Sequence, residues 1–539
     1  WKEAQKRRSQ PVANYLTQET IALLANEDLP GTSLQWMQTS LAKLFSNEDI
    51  LKSIEGTESE FWATEEASQG GGYIVSLQPK QVFASLLDRG DEGLALLGGV
   101  HYVGSKSSAE AGLQRMREFL AGSETEPILT KETVDGVEMI SQILKGGITL
   151  ISANVKGWII FSDSQEVLLN FVTAIKAGAE PQSLAQDVLF ENIAGQLDPD
   201  CELQAFLRVG PALDRLLTFA SMMGTVPDPN QVEFLKKAEG IGYSSTFKGK
   251  DIEDRLFVKT LTAPATSVIK KTGAELASEQ SLFLYEAALD FSSPSWKAFT
   301  EKIPGSILLA ADEKGLDFET LPKLLTGAAV WSTLGEGELI PNMEGMLTLE
   351  DSKKAEEWID FFLSQQQNNK DIGKESRDGA TIYTLGVQGS IAFLEPCIAL
   401  REGELLAALN PDALNRLMLP KTDGTKSLAE SQKFAELKKY YDSSPSTFVY
   451  LDTAELVRRA YEMSLPVIRF GALTLKDVDR YVNTDALPDK ATFADELGPI
   501  VGVQYNRPDG FLFESRGPLT LNHLLIMGAA GGFSAFGGK

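Results

Sequence analysis

The phrase ETVDGVEMI at 132–140 returns in altered form as ESRDGATIY at 375–383, and this repetition limits the possible folds more than any other feature of the chain. An upstream Phe-Leu pair precedes the Asp-Gly pair by the same number of residues in both places. Asp135 and Asp378 are therefore offset by 243 residues, as are the two Phe-Leu pairs. A register that survives across the intervening loop predicts an internal duplication.

The duplication divides the chain into two related halves with short additions. Each half ends in a pair of hairpin-like strands with glycine in the turn. The predicted segments are, in chain order, a basic stalk at 1–11, a first half at 12–262, a polar connector at 263–280, a second half at 281–520 and an apolar, glycine-rich tail at 521–539.

Short apolar runs followed by amphipathic helical patterns recur along both halves, for example at 73–87, 201–217 and 447–461. Such units predict an α+β fold in which helices cover one face of largely antiparallel sheets. A doubly wound parallel sheet is the rival fold. The hairpin signals favour the antiparallel arrangement, and the sequence has no glycine-rich phosphate loop between a strand and a helix.

Within the repeat, helices are predicted at 109–120 and at the corresponding 353–363. Ser107 and Glu110 have the spacing of a capping box at the first of these helices. The core stripes predicted for the two helices are Leu113, Met116, Phe119 and Leu120 in the first, and Ala355, Trp358, Ile359 and Phe362 in the second. Strands are predicted at 148–151, 158–161, 391–394 and 404–409, and helices capped by Ser164 and Asn410 follow them.

The charge of the chain excludes one class of partner. Its 75 acidic and 50 basic residues give a formal charge of -25. Because nucleic acid is a polyanion, most of this surface would repel it, and the sequence predicts no nucleic-acid partner.

Cysteine and histidine are scarce. Cys201 and Cys397 are too few for a disulfide framework, and two separate buried thiols are favoured over one disulfide between the halves. His101 and His523 are the only histidines, so a zinc site or a histidine-activated nucleophile would depend on one of these two.

No segment carries a complete catalytic, cofactor or metal motif, and no such residue is assigned. In GVHYVGSK, at 99–106, Ser105 precedes Lys106, the reverse of the order that a phosphate loop needs. SVIKKTG at 267–273 overlaps two acyl-enzyme fragments that belong on separate elements. The RGD at 89–91 is interpreted as surface charge.

The acidic loop at 477–496 is the one place where the sequence leaves a cation site open. Asp477, Asp479 and Asp485 could hold a hard cation, because calcium accepts irregular cages of oxygen ligands. A solvated acidic loop is the favoured interpretation of this segment.

The stalk WKEAQKRRSQP, the opening strand ETIALLANEDLPGT, the phrase DG…IY and the repeated strand–helix units resemble an uncharacterised family of large bacterial cell-envelope proteins that lie behind a signal or membrane anchor. The resemblance implies an extracytoplasmic location, in the periplasm or on the cell surface, and no activity. A numbering that opens at Trp1 fits a missing N-terminal segment that would tether the protein. The tail at 521–539 is expected to dock on the protein rather than to span a membrane.

These observations favour a non-catalytic, membrane-tethered scaffold that presents an interaction surface to envelope proteins or complexes. Duplication enlarges a contact surface without requiring a reaction centre. Two alternatives stay open. One is a hydrolase of envelope glycans or peptides that uses paired carboxylates in a deep cleft. The other is a small-ligand carrier, which a closed apolar cavity would indicate.

Overall fold

In the computed structural model, helices and antiparallel strands alternate along the chain, so the predicted α+β class is confirmed. The structure describes residues 11–54, 78–121, 129–144, 147–222, 224, 232–233, 235–289, 302–334, 341–365, 372–385, 395–419, 426–437, 444–474, 483, 486–489, 492 and 496–523.

Two compact units account for the chain. The first comprises Trp1–Ala263, Arg458–Leu497 and Asp509–Lys539, and the second comprises Pro264–Val457 and Gly498–Pro508. These units group residues by spatial contact, whereas the division at 12–262 and 281–520 follows the repeat. The repeat-based boundaries stay a prediction.

The strands of the first unit form one antiparallel series. Their order is β4-β5-β6-β7-β3-β2-β1-β8-β9-β10-β20. The strands are β1 (Thr20–Asn26), β2 (Pro79–Asp88), β3 (Leu94–Tyr102), β4 (Leu129–Val134), β5 (Val137–Ile143), β6 (Thr149–Val155), β7 (Trp158–Ser162), β8 (Leu203–Arg208), β9 (Ala238–Lys248), β10 (Asp251–Thr260) and β20 (Gly510–Gly517).

The strands of the second unit form a matching series. Their order is β14-β15-β16-β17-β13-β12-β11-β18-β19. The strands are β11 (Ser281–Ala288), β12 (Leu325–Thr333), β13 (Asn342–Leu349), β14 (Ile372–Arg377), β15 (Ala380–Leu385), β16 (Cys397–Arg401), β17 (Glu404–Ala408), β18 (Thr447–Leu451) and β19 (Ile500–Arg507). Each of these pairings has a counterpart in the first unit. That one ancestral module was copied stays a prediction.

Along the chain, the helices occur between these strands in both units. Short 3₁₀ turns occur at Val12–Asn14, Gly90–Glu92, Leu184–Gln186, Gly273–Glu275 and Leu428–Glu430. The α-helices are α1 (Leu29–Trp36), α2 (Ser40–Phe45), α3 (Glu48–Ile54), α4 (Lys106–Ala121), α5 (Gln165–Ala177), α6 (Val188–Ala194), α7 (Val209–Met222), α8 (Gly305–Asp312), α9 (Leu321–Leu324), α10 (Ser352–Gln365), α11 (Pro411–Met418), α12 (Gln432–Ala435) and α13 (Thr453–Thr474).

The two Asp-Gly pairs of the repeat are hairpin turns, β4 to β5 in the first unit and β14 to β15 in the second. Asp135 and Gly136 have φ values of 51° and 73°, and Asp378 and Gly379 have φ values of 53° and 78°. Positive φ at both central residues is the signature of a type I′ turn, whose twist matches that of the flanking strands. The repeated phrase is therefore a repeated turn.

Helix capping follows the sequence in two places and departs from it in a third. Ser164 and Asn410 cap α5 and α11, as predicted, by accepting hydrogen bonds from Val167 N and Ala413 N. Helix α4 is capped by Ser105 instead of Ser107, since the Ser105 hydroxyl accepts from Ser108 N at 3.1 Å.

Three predictions about secondary structure need correction or fall outside the description. The segment 73–87 was expected to be a strand and a helix, but from Pro79 it is a single strand whose buried side chains alternate with a period of two. The predicted strand at 391–394 lies outside the described residues. Of the predicted stripes, Phe362 is 42% exposed and Phe361 is buried in its place, while the side chains of Met116, Phe119 and Leu120 are not described.

Candidate functional site

A cavity of about 650 Å³ lies between helix α4 and strands β4, β5 and β6 of the first unit. Its lining is mainly polar. The helix contributes Lys106, Glu110, Leu113, Gln114 and Arg117, and the strands contribute Leu129, Lys131, Glu138, Ile140, Ser152, Ala153 and Asn154.

Local sequence explains why the cavity opens under the later turns of α4. Ala109 and Leu113, in its first turns, pack on Tyr102 and Ile159 in an apolar cluster. One turn beyond Leu113, the stripe continues with Arg117, a charged residue at a position that faces the sheet. An arginine here cannot close the apolar packing, so space remains between the helix and the strands.

Arg117 is the most unusual side chain of the cavity, because it is charged and only 8% exposed. Its guanidinium donates a hydrogen bond to Ser152 Oγ at 2.7 Å. Its Nε has no hydrogen-bond partner, and no carboxylate lies within 4 Å of the guanidinium among the described residues. Burial lowers the pKa of Arg117, and the charge of Glu138 acts in the opposite direction.

A second unsatisfied donor belongs to Asn154. The carbonyl oxygen of its side chain accepts a hydrogen bond from Tyr102 Oη at 2.9 Å. Its Nδ2 is buried and has no partner among the described residues. Buried donors are normally paired with protein or with a bound molecule. Two unpaired donors that line the same cavity indicate a place for an acceptor.

The histidines lie in separate environments. The His101 ring stacks on Trp158, with centroids 4.8 Å apart, and burial and then Lys80 lower its pKa. His523 Nε2 lies 2.6 Å from Tyr243 Oη, and burial lowers the pKa of His523. Across the part of the chain that the structure describes, no three His, Cys, Asp or Glu residues are grouped as metal ligands.

The segments that superficially resemble motifs take structural roles. Ser105 caps α4, and Lys106 begins that helix and lines the cavity. In SVIKKTG, Lys270 pairs with Glu350 at 2.6 Å and Lys271 pairs with Glu404.

The remaining candidates divide between described and undescribed residues. Arg89 of the RGD pairs with Glu166 at 2.9 Å. Asp477, Asp479 and Asp485 lie outside the described residues. Neither cysteine is in a disulfide; Cys397 is buried, as predicted, whereas Cys201 was predicted to be buried and is only partly so.

Exposed apolar rows form a second kind of candidate site. On α13, Met463, Val467 and Phe470 are 46%, 70% and 68% exposed and share one face of the helix. Helix α7 has a shorter row of Leu216, Phe219 and Met222. Among the described residues, no helix combines the length and apolarity that crossing a membrane requires.

Comparisons with known proteins find only weak similarity to this chain. No protein-family model matches the chain, and no curated protein matches it. Three crystal forms of TP0453 are weakly similar. Forms I, III and IV have TM-scores of 0.25, 0.27 and 0.26 at 8%, 9% and 11% identity. Each covers 48% of this chain and 82% or 83% of the TP0453 chain. At these values the likeness carries no argument about this chain.

Proposed function

We propose that this chain is a non-catalytic, membrane-tethered protein on the extracytoplasmic side of a bacterial cell envelope, where it serves as a scaffold for envelope proteins. The apolar row of α13 is the observation that carries the proposal. Large apolar side chains aligned on an exposed face mark interaction surfaces. The location and the tether rest on the family resemblance described above.

The spacing of the α13 row fits a protein partner. Met463, Val467 and Phe470 recur at intervals of four and three residues, which is the pattern of a helix that lies in an apolar groove of another protein.

The test is affinity purification of the full chain from its native membrane, compared with the double variant Val467→Gln and Phe470→Gln. We expect the variant to fold, because both side chains are about two-thirds exposed, and to lose most of the stoichiometric partner. Arg469→Gln is the matched control on an exposed neighbouring position and should retain the apolar contact. Circular dichroism checks that all three proteins have the same helix content.

The outcomes separate the possible occupants of the row. A partner retained at wild-type stoichiometry by the double variant contradicts the proposal. Loss of self-association by the double variant in sedimentation experiments, without loss of another protein, would identify a second copy as the occupant and also contradict it. Equal loss in the Arg469→Gln control would mean that charge, not the apolar row, holds the partner.

A further inference from the structure

The α4 cavity, defined by α4 and strands β4 to β6, has an excess of positive charge inside an acidic protein. Lys106, Arg117 and Lys131 face two carboxylates, Glu110 and Glu138. Lys106 Nζ lies 3.6 Å from Glu110, so this exposed pair accounts for one charge of each sign. Two cations and one carboxylate remain, with Arg117 the more deeply buried of the cations.

At the corresponding position, the second unit has a protein carboxylate. Helix α10 is capped by Asp351, whose side chain accepts from Lys353 N and Lys354 N, and the caps Ser105 and Asp351 are offset by 246. The hairpin strands keep the offset of 243. The caps therefore place Gln114 opposite Asp360 and Arg117 opposite Leu363. The offset of 243 between the two Phe-Leu pairs does not hold within these helices.

In the second unit a protein carboxylate occupies the face between helix and hairpin. Asp360 accepts from Lys374 Nζ at 2.9 Å and from Tyr383 Oη at 2.9 Å. Lys374 corresponds to Lys131 of the cavity. The first unit therefore keeps the hairpin lysine, replaces the helix carboxylate with an amide and adds a buried guanidinium. At this position of the helix it lacks the carboxylate that its counterpart supplies, although Glu110 and Glu138 line the cavity.

We propose that the α4 cavity binds a small organic carboxylate. Its anionic group pairs with the guanidinium of Arg117 and accepts from Asn154 Nδ2, and its apolar part lies against Leu113 and Ile140. A guanidinium and a carboxylate form a charge-assisted, bidentate pair, which would satisfy the unpaired Nε.

Charge and volume define the ligand class further. A single negative charge balances the remaining excess, whereas a phosphate dianion would exceed it and face Glu110 and Glu138. The volume of about 650 Å³ is in the range of small-molecule pockets. Apolar and polar residues both line the cavity, so a carboxylate attached to an apolar group fits it better than a bare inorganic anion.

The test is calorimetric titration of the full chain with phenylacetate. The neutral isostere phenylacetamide and the dianion phenyl phosphate are the comparison probes. We expect phenylacetate to bind at least tenfold more tightly than either, which corresponds to about 1.4 kcal/mol or more. Perturbation of Arg117 and Asn154 side-chain NMR signals during the titration locates the site.

Two variants test the role of the cations independently. Arg117→Met keeps the volume and removes the charge, and we expect phenylacetate affinity to fall at least tenfold. Gln114→Asp places a carboxylate where the second unit has Asp360. We expect a similar loss of phenylacetate affinity, because the new side chain competes for Arg117 and Lys131. Lys374→Met removes one positive charge from the second unit and should leave affinity unchanged.

Several outcomes would overturn the proposal. One is equal affinity for phenylacetate and phenylacetamide, or tighter binding of phenyl phosphate. Another is flat titrations with all three probes. Unchanged binding by Arg117→Met would place the carboxylate elsewhere, and so would an equal loss in Lys374→Met. If Arg117→Met does not reach wild-type helix content by circular dichroism, Gln114→Asp, which changes a side chain on the same face, decides the matter.

Discussion

Helices α4 and α10 precede strands of the same order, β4 to β6 and β14 to β16, but the two helices are packed differently. Trp358 and Phe361 of α10 join Phe318 and Leu324 in an apolar core cluster. Helix α4 instead borders a polar cavity of about 650 Å³ around the buried Arg117. One helix is therefore packed against aromatic residues, and the other lies beside an open space that contains a cation.

The contrast recurs at the ends of the halves. By the offset of the closing hairpins, Asp254 of β10 corresponds to Ser515 of β20, which is also its direct neighbour in the sheet. Asp254 is 3% exposed and accepts hydrogen bonds from Thr520 and Asn522. At both places, a charged group is buried where the register of the repeat places a residue of another class.

The largest effect that would sharpen this comparison is the loss of packing in the second unit. Trp358 is 3% exposed and lies against Phe318 with ring centroids 4.7 Å apart. We expect Trp358→Ala to lower the free energy of unfolding of that unit by about 3–5 kcal/mol. Leu113→Ala beside the cavity should cost about 2 kcal/mol, at the low end for such changes, because water can enter the space.

Urea unfolding with hydrogen exchange resolved by peptide measures the two units separately. Amides of α10 should lose protection in Trp358→Ala, and amides of α4 should lose less in Leu113→Ala. If Leu113→Ala is the more damaging change, α4 is the better packed helix and the contrast between the two helices is lost.

How far the sequence could predict this contrast depends on the kind of residue. Trp358 and Leu113 were placed in the core because apolar residues at helical spacing report burial directly. Arg117 was missed, although it lies four residues after Leu113 on the same stripe. A polar residue on a stripe ordinarily marks the end of burial. The charged residue at spacing 113 and 117 was nevertheless the available signal.

Two further errors have a tertiary cause. Phe362 was predicted to be buried and Phe361 was not, but residues from 303 to 324 pack on the side of α10 that carries Phe361. A periodic pattern places residues on a face but cannot tell from which direction another segment arrives. The caps at Ser164 and Asn410 were predicted because their causes are local.

A somewhat smaller effect concerns pH and the first unit. Burial, opposed by hydrogen bonds from Thr520, Asn522 and Tyr243, raises the pKa of Asp254 to about 6 from its ordinary 3.8. Between those values the folded state binds a proton that the unfolded state has lost, so stability falls as the pH rises. The total change approaches about 3 kcal/mol. His523, whose pKa burial lowers, contributes a slope of the opposite sign.

Comparing wild type with Asp254→Asn isolates this contribution, because the histidine and the other carboxylates titrate in both proteins. We expect the wild type to lose stability relative to the variant as the pH rises from 4 to 6, in urea unfolding curves of the full chain. The stability difference between wild type and Ser515→Ala should stay constant with pH, because Asp254 titrates in both proteins. A difference between wild type and Asp254→Asn that stays constant with pH would show that Asp254 has an ordinary pKa.

The smallest effect tests the carboxylate that the first unit lacks. Burial and Asp360 raise the pKa of Tyr383 to about 12, while Lys374 acts against them. Removing the charge with Asp360→Asn should lower this pKa, but burial will keep it above the ordinary 10. NMR titration of the Tyr383 ring carbon measures the change. Because Asp360 and Lys374 are nearly half exposed, solvent screens the pair and stability should fall by only about 0.5 kcal/mol.

Placing an anion at this face has different consequences in the two units. In the second unit, Asp360 is part of a screened surface network, and its removal should change titration more than stability. In the first unit, the anion would meet a buried guanidinium, where solvent screens less and the gain is larger. If the pKa of Tyr383 does not change in Asp360→Asn, the charge of Asp360 has no effect on its neighbours in the second unit. Its absence under α4 would then no longer indicate a ligand.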